Sequence, residues 1–312
     1  MNPQVETLQN KTQQVKEEVA KKIVGQKDVL ERVLVCMMCD GNGLLESNPG
    51  LGKTMMIRSI ADVTDMTFSR IQNTPDLMPS DVTGTEIVKE DYEGNRIFEF
   101  QKGPIFANVV LADEINRATP KTQAALLEAM QEKQVTAAGE THKLPRPFFV
   151  LATQNPIDQE GTYPLPEAQQ DRFLMKITLD YPSFEEEVDI VERYTMDSED
   201  DIHLEHVLSG DELINIQGLV RDVPISDDLR DRAIRIVTDT RDADHIEYGA
   251  SPRASLGLVL AAKARAFLHG RTYVSEEDID EMAVPVLRHR IVVDFRAERD
   301  GMTPDDAVTE LL

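Results

Sequence analysis

The chain has 312 residues, room for two domains of ordinary size, and its 41% hydrophobic and 29% charged side chains support a sizeable core. Its 57 acidic against 33 basic residues leave a formal charge of −24. That charge repels phosphate backbones and argues against nucleic acid as the main substrate. The amino-terminal MNPQVETLQNKTQQVKEEVAKK is polar and helical, not a secretory h-region, and no apolar run approaches the ~18 residues of a membrane span. A cytoplasmic protein with no membrane span is expected.

DVLERVLVCMMC (28–39) has helical apolar spacing, so Cys36 and Cys39 read as small core residues on one face, not as half a metal site. Residues 43–46 form a short apolar run that leads into SNPGLGKT (47–54), and a helix follows over 53–63. Further strands are predicted at 68–71, 108–112, 148–153 and 174–179; the continuous apolar character of NVVLA (108–112) fits a strand buried on both faces. Two hairpins interrupt the alternation: 85–88 with 97–100 about a turn at 93–95, and 134–137 with 141–144 about Gly139. After Asp180-Tyr181-Pro182 the pattern becomes helical. Phe184, Val188, Val191 and Tyr194 share a helical period, Ser226 and Ser251-Pro252 are helix starts, and Ser275-Glu276-Glu277-Asp278 begins another. His203 and His206 lie in an acidic stretch and read as solvated surface. The expected architecture is a three-layer α/β P-loop core with a parallel sheet over 1–182, followed by an all-helical lid over 183–312.

The chemistry concentrates at a few places. In SNPGLGKT, Gly50 and Gly52 allow backbone N–H groups to turn toward phosphate oxygens at a helix N-terminus. Lys53 is placed to reach the β- and γ-phosphates and Thr54 to put its hydroxyl on Mg²⁺. Asn48, Pro49, Leu51 and Met55 complete the loop around the nucleotide. About sixty residues later, VVLADE (109–114) ends a buried strand on two acids. Asp113 is the expected second Mg²⁺ contact, and Glu114 the general base for the attacking water. Asn155, at the end of FFVLAT, is a candidate to hold that water; read alone it is equally a turn residue before Pro156. Arg172 in EAQQDRF reads as an arginine finger for a neighbouring subunit or as a surface ion pair with Asp171 or Glu167. Arg253 lies in the first turn of a capped helix, where the dipole disfavours a cation; a pair with a nearby acid is its alternative.

Together these segments closely resemble the AAA+ ATPases and, within them, the MoxR family. The resemblance is carried by IVGQ (23–26), NPGLGKT (48–54), RIQNTPDLMPSDVTG (70–84), VVLADEINRATPKTQAALLEAMQE (109–132), LATQNP (151–156), GTYPLPEAQQDRF (161–173) and GASPRA (249–254), and it spans nearly the whole chain from about residue 20. It implies an ATP- and Mg²⁺-dependent ring, usually a hexamer, that remodels or matures client proteins, with a von Willebrand factor A domain protein as partner. It implies that Asn155 is sensor 1, Arg172 the finger and Arg253 sensor 2, that Val24, Gly25 and Gln26 lie near the adenine, and that the two hairpins face the substrate. Two further readings remain beside it: a magnesium-chelatase-like motor subunit, and a nucleotide-gated scaffold with little turnover, against which Glu114 and Arg172 argue. Two departures stand out. Ser47 replaces the usual first glycine of the loop, and costs little unless residue 47 requires a positive φ. Gln170 stands where the family more often has an apolar residue, and is expected to be tolerated.

Overall fold

Five of the apolar runs pair side by side, all parallel. The computed structural model describes residues 3–312 apart from 91, 93, 94, 138, 157–160 and 197–201. Helices α1 (Pro3–Ala20) and α2 (Lys27–Met38) lead into β1 (Gly43–Ser47), α3 (Lys53–Val63) and β2 (Phe68–Gln72). The short α4 (Pro79–Thr83) precedes a hairpin of β3 (Gly84–Glu90) and β4 (Arg96–Lys102). Strand β5 (Val109–Asp113), α5 (Pro120–Glu132), a second hairpin of β6 (Gln134–Ala137) and β7 (Glu140–Lys143), then β8 (Phe149–Gln154), α6 (Glu167–Gln170) and β9 (Met175–Leu179) complete this part. The sheet order is β2-β5-β8-β1-β9.

A parallel sheet covered on both faces needs apolar side chains in both directions, and the period of two divides them. Leu45, Val109, Leu111, Phe149, Leu151, Met175 and Ile177 join one core, together with α1, α2, α3 and the later helices. Their neighbours Leu44, Val110, Ala112, Val150 and Ala152 join a second core with α4 and α5, capped by Leu126, Met130 and Phe173. Both cysteines are buried in the first core, and burial pushes the Cys36 thiol up to about 12.

The two hairpins stand off the sheet. Glu93 and Gly94 of the predicted first turn lie outside the described residues. Val88 pairs with Phe98 across that hairpin and both are exposed. At its base Phe100 stacks on His142 of the second hairpin, with centroids 3.9 Å apart and planes 10° from parallel.

The carboxyl-terminal part contains α7 (Phe184–Met196), α8 (Gly210–Asp222), α9 (Asp227–Asp239), β10 (Ile246–Tyr248), α10 (Pro252–Leu268), α11 (Glu276–Leu287), β11 (Val292–Val293), α12 (Phe295–Arg299) and α13 (Pro304–Thr309). It is a helical lid, with one addition to the all-helical expectation: β10 and β11 pair antiparallel. Helix α10 is its centre. Ala254, Leu258, Ala261, Ala262 and Phe267 are buried around it, and the small alanines let its neighbours approach closely. The lid core is continuous with the core on the α1–α2 face of the sheet, so the lid is packed against α1, α2 and β9.

Candidate nucleotide site

Strand β1 ends at Ser47 and the chain turns through Asn48–Gly52 into α3. Gly50 and Gly52 have φ of +84° and +75°, values that L side chains rarely adopt, and no atom lies where a Cβ would fall. Glycine is therefore required there by backbone conformation and not by lack of room. Ser47 raises no such demand. It is the last residue of β1, pairs with Leu179, is buried, keeps a negative φ, and donates from Oγ to the Asn48 carbonyl at 3.2 Å.

At the carboxyl ends of β1, β2 and β5 this loop closes a cavity of about 430 Å³, lined by residues 49–55 with Arg58, Arg70, Gln72, Asp113 and Glu114. That is where open α/β sheets hold ligands. Lys53, Arg58 and Arg70 place three cations around it in a chain of charge −24. Asp113 is buried, and its Oδ1 accepts from the Thr153 hydroxyl at 2.7 Å while Oδ2 accepts from Arg70 at 2.5 Å. Burial alone would raise its pKa. The hydroxyl of Thr153, the guanidinium of Arg70 and the nearby Lys53 outweigh burial and hold the carboxyl below its usual range.

Glu114 follows in a left-handed conformation, φ 54° and ψ 50°, which turns its side chain out of the strand. Its Oε2 accepts from Arg117 at 2.9 Å and from Gln72 at 3.3 Å, and its N–H donates to Thr153 at 2.9 Å. Asn155 comes directly after β8, at the same end of the sheet, but is not among the cavity-lining residues.

A second cavity of about 210 Å³ adjoins the loop. Val24 and Gln26 line it with Gly50, Leu51, Gly52 and Met55, and α7 closes it with Ile190 and Tyr194. Gln26 donates from Nε2 to the Leu51 carbonyl at 3.1 Å, while its buried Oε1 has no hydrogen-bond partner among the described residues. That oxygen is an acceptor suited to an amino group of a base. Gly25 and Asn48 are not among the lining residues. Gly25 faces α7, where a Cβ would collide with the Glu186 carboxylate, and Asn48 lies between the end of β1 and the turn that starts at Pro49.

Arg172 and Arg253 lie elsewhere. They line a separate cavity of about 290 Å³ together with Gly41, Leu127, Leu256 and Arg290, away from the phosphate loop of the same chain. Arg172 is exposed and has no ion pair among the described residues. The expected alternative partner, Asp171, is occupied by the lid: Arg290 donates to it at 2.8 Å, Ser251 at 3.2 Å, and Arg253 lies 3.6 Å from it. The buried Arg290 also donates to the carbonyls of Phe173 at 2.6 Å and Leu174 at 3.0 Å, so the lid grips the backbone beside Arg172. Gln170 donates to the Leu165 carbonyl at 2.9 Å, which accounts for a polar residue there.

The sequence reading missed Arg58, Arg70, Gln72, Thr153 and Arg290. A sequence signal existed for one of them: Thr153 is the polar residue that closes the apolar run FFVLA (148–152).

A parallel sheet with a phosphate loop after β1, paired acids after β5 and a helical lid defines a P-loop protein of the AAA type. Similarity to known proteins points the same way. Residues 42–175 match the model of the ATPase family associated with various cellular activities (AAA), and residues 238–311 match that of the AAA lid domain. The chain is 44% identical over 297 residues to the uncharacterized protein YeaC of Bacillus subtilis, covering 95% of this chain and 91% of that one. It is 43% identical over 304 residues to Chaperone MoxR1 of Mycobacterium tuberculosis, covering 95% and 79%. The crystal structure of a candidate ATPase from Cytophaga hutchinsonii superposes with a TM-score of 0.92 at 43% identity, over 99% of this chain and 95% of that one. The chain belongs to the MoxR family of AAA+ ATPases.

The family implies nucleotide binding, usually with a divalent ion. The donors present suit a hard cation: the Thr54 hydroxyl and an Asp113 carboxylate held ionised. Among the described residues no group of three or more His, Cys, Asp or Glu forms a metal cluster, so such an ion would rely on phosphate oxygens and water.

Proposed function

We propose that this chain hydrolyses ATP with Mg²⁺ in a site shared between neighbouring subunits of a ring, a hexamer by family resemblance, and uses the reaction to remodel or mature a client protein. The observation that carries the reading is the convergence of Lys53, Thr54, Asp113 and Glu114 on one cavity at the N-terminus of α3. In this reading the loop amides and Lys53 bind the phosphates, with Arg58 and Arg70 adding positive potential. Thr54 and Asp113 would hold Mg²⁺, which supplies charge neutralisation at the phosphate oxygens. Glu114 takes the proton of the attacking water once released from Arg117, and Asn155 orients that water. Gln26 accepts from the adenine amine, beside Val24.

Arg172 and Arg253 act in trans, because both face a cavity remote from their own phosphate loop. A relative named as a chaperone supports the client-directed role. A partner with a von Willebrand factor A domain follows from family resemblance. No helix among the described residues is long and apolar enough to cross a membrane.

The test is ATP turnover. Lys53→Ala and Glu114→Gln should each lose at least about a hundredfold, the second while still binding nucleotide. Turnover equal to wild type in Glu114→Gln contradicts its assignment as the base.

A further inference from the structure

Two of the exposed apolar surfaces have no packing partner among the described residues and carry opposite charges. The first is on α7. Its inner face, with Ile190 and Tyr194, closes the smaller cavity beside the phosphate loop, and Arg193 ties the helix to the carbonyls of Ala20 and Lys21 at 3.0 and 2.7 Å. Its outer face carries Phe184, Val188 and Val191, exposed by 76%, 39% and 56%. Positions four and three apart form one stripe. Glu185 and Glu192 flank it on one side and Glu187 on the other. A stripe of this kind on a solvated helix marks a groove-binding element.

The second surface is a groove of about 670 Å³ on the lid, between α8, α9 and α10. Ile234, Leu256 and Val259 supply its apolar wall, and Leu256 is 75% exposed. Arg221, Arg230 and Lys263 are its charged lining, with no carboxylate among the lining residues. Arg230 is shared with Asp227 and Asp231 at 2.9 and 3.2 Å, whereas Lys263 is bonded to a carbonyl, that of Arg221, at 2.7 Å. A positive apolar groove is an exception on a chain of charge −24. The groove is continuous with the cavity that holds Arg172 and Arg253, because Leu256 and Leu260 line both.

We propose that the α7 stripe of one copy of this chain docks in the lid groove of a second copy. The pairing is heterologous: a surface beside the phosphate loop meets one beside Arg172 and Arg253, so the same contact that buries the apolar stripe brings both arginines toward the neighbour's phosphates. Glu185, Glu187 and Glu192 meet Arg221, Arg230 and Lys263, which sets the register and discourages a copy-to-itself pairing of two acidic helices. The inference rests on the shared-site reading above and names the surfaces that create it.

Disulfide trapping in the full-length chain tests it. Val188→Cys and Leu256→Cys, both at exposed positions, are purified separately, mixed with ATP and Mg²⁺, and oxidised mildly; the native cysteines are buried. A cross-linked dimer that forms in the mixture, and not with either variant alone, is expected. In parallel, Val191→Asp should weaken self-association by at least about tenfold in sedimentation, while monomer binding of a fluorescent ATP analogue is unchanged. No cross-link in a mixture that still assembles overturns the docking and leaves the ATPase reading intact. A chain that hydrolyses ATP as a monomer overturns the docking together with the shared-site reading on which it rests. Loss of ATP binding in wild type strikes the functional reading instead, and a cross-link that forms without nucleotide binding still supports the docking.

Discussion

The phosphate cavity and the arginine face differ in how their charges are satisfied. At the phosphate cavity Asp113 is held by Thr153 and Arg70, and Glu114 by Arg117 and Gln72. On the arginine face Arg172 is exposed with no ion pair among the described residues, even though an aspartate is its chain neighbour, because Asp171 is taken by Arg290 from the lid. The first arrangement is pre-organised to receive a ligand; the second presents a cation outward. In the shared-site reading proposed above, that difference would let one chain supply the cavity and its neighbour the arginines.

The largest expected effect breaks the second region. Arg172→Ala should lower turnover by about 10³-fold while isolated chains bind ATP normally; measured by steady-state hydrolysis, a change under about threefold would place the finger elsewhere. Next is its support. The buried Arg290 donates to the Asp171 carboxylate and to the carbonyls of Asp171, Phe173, Leu174 and Val286, so Arg290→Ala, which removes all of these donors, should cost about 3 kcal/mol in denaturant unfolding.

His289 sharpens the same comparison with pH. It is buried, with Nε2 donating to the carbonyl of Phe173, the residue after Arg172, and burial followed by the charge of Arg290 pushes its pKa well below the usual value. Above about pH 6.5 it is neutral folded or unfolded and stability is complete. As pH falls below that value the unfolded chain takes a proton the folded chain refuses, so up to about 1.4 kcal/mol is lost per pH unit. Unfolding at pH 7.5 and 5.5, with His289→Gln as the control, measures it; an equal slope in both proteins contradicts the assignment. The smallest effect belongs to Ser47→Gly. With Ser47 already in extended strand geometry, ATP affinity should stay within about twofold, and stability should fall by about 0.5–1 kcal/mol.

Much of the architecture was legible because it depends on local pattern. The strands at 43–46, 68–71, 108–112, 148–153 and 174–179 were placed within a residue or two, since buried parallel strands are short apolar runs bounded by turn residues. The helix at 53–63 and both hairpins followed from glycine placement. Lys53, Thr54, Asp113 and Glu114 were legible as a group because each sits at a strand end or helix start. What pattern does not carry is pairing across the sheet: Arg70 reaches Asp113 only because β2 lies beside β5. The β10–β11 ribbon was missed because strands of three and two residues have no readable period. The location of Arg253 was equally hidden, since it depends on the lid packing against α1, α2 and β9.

The shared site is tested most directly by subunit mixing. Lys53→Ala chains lack the lysine proposed to bind phosphate but keep Arg172, and Arg172→Ala chains have the reverse; each alone should be nearly inactive. Combined in ATP and Mg²⁺, they should regain hydrolysis well above the sum of the two, because some junctions pair an intact loop with an intact arginine. A mixture that forms mixed assemblies yet hydrolyses no faster than that sum would contradict a site built from two subunits.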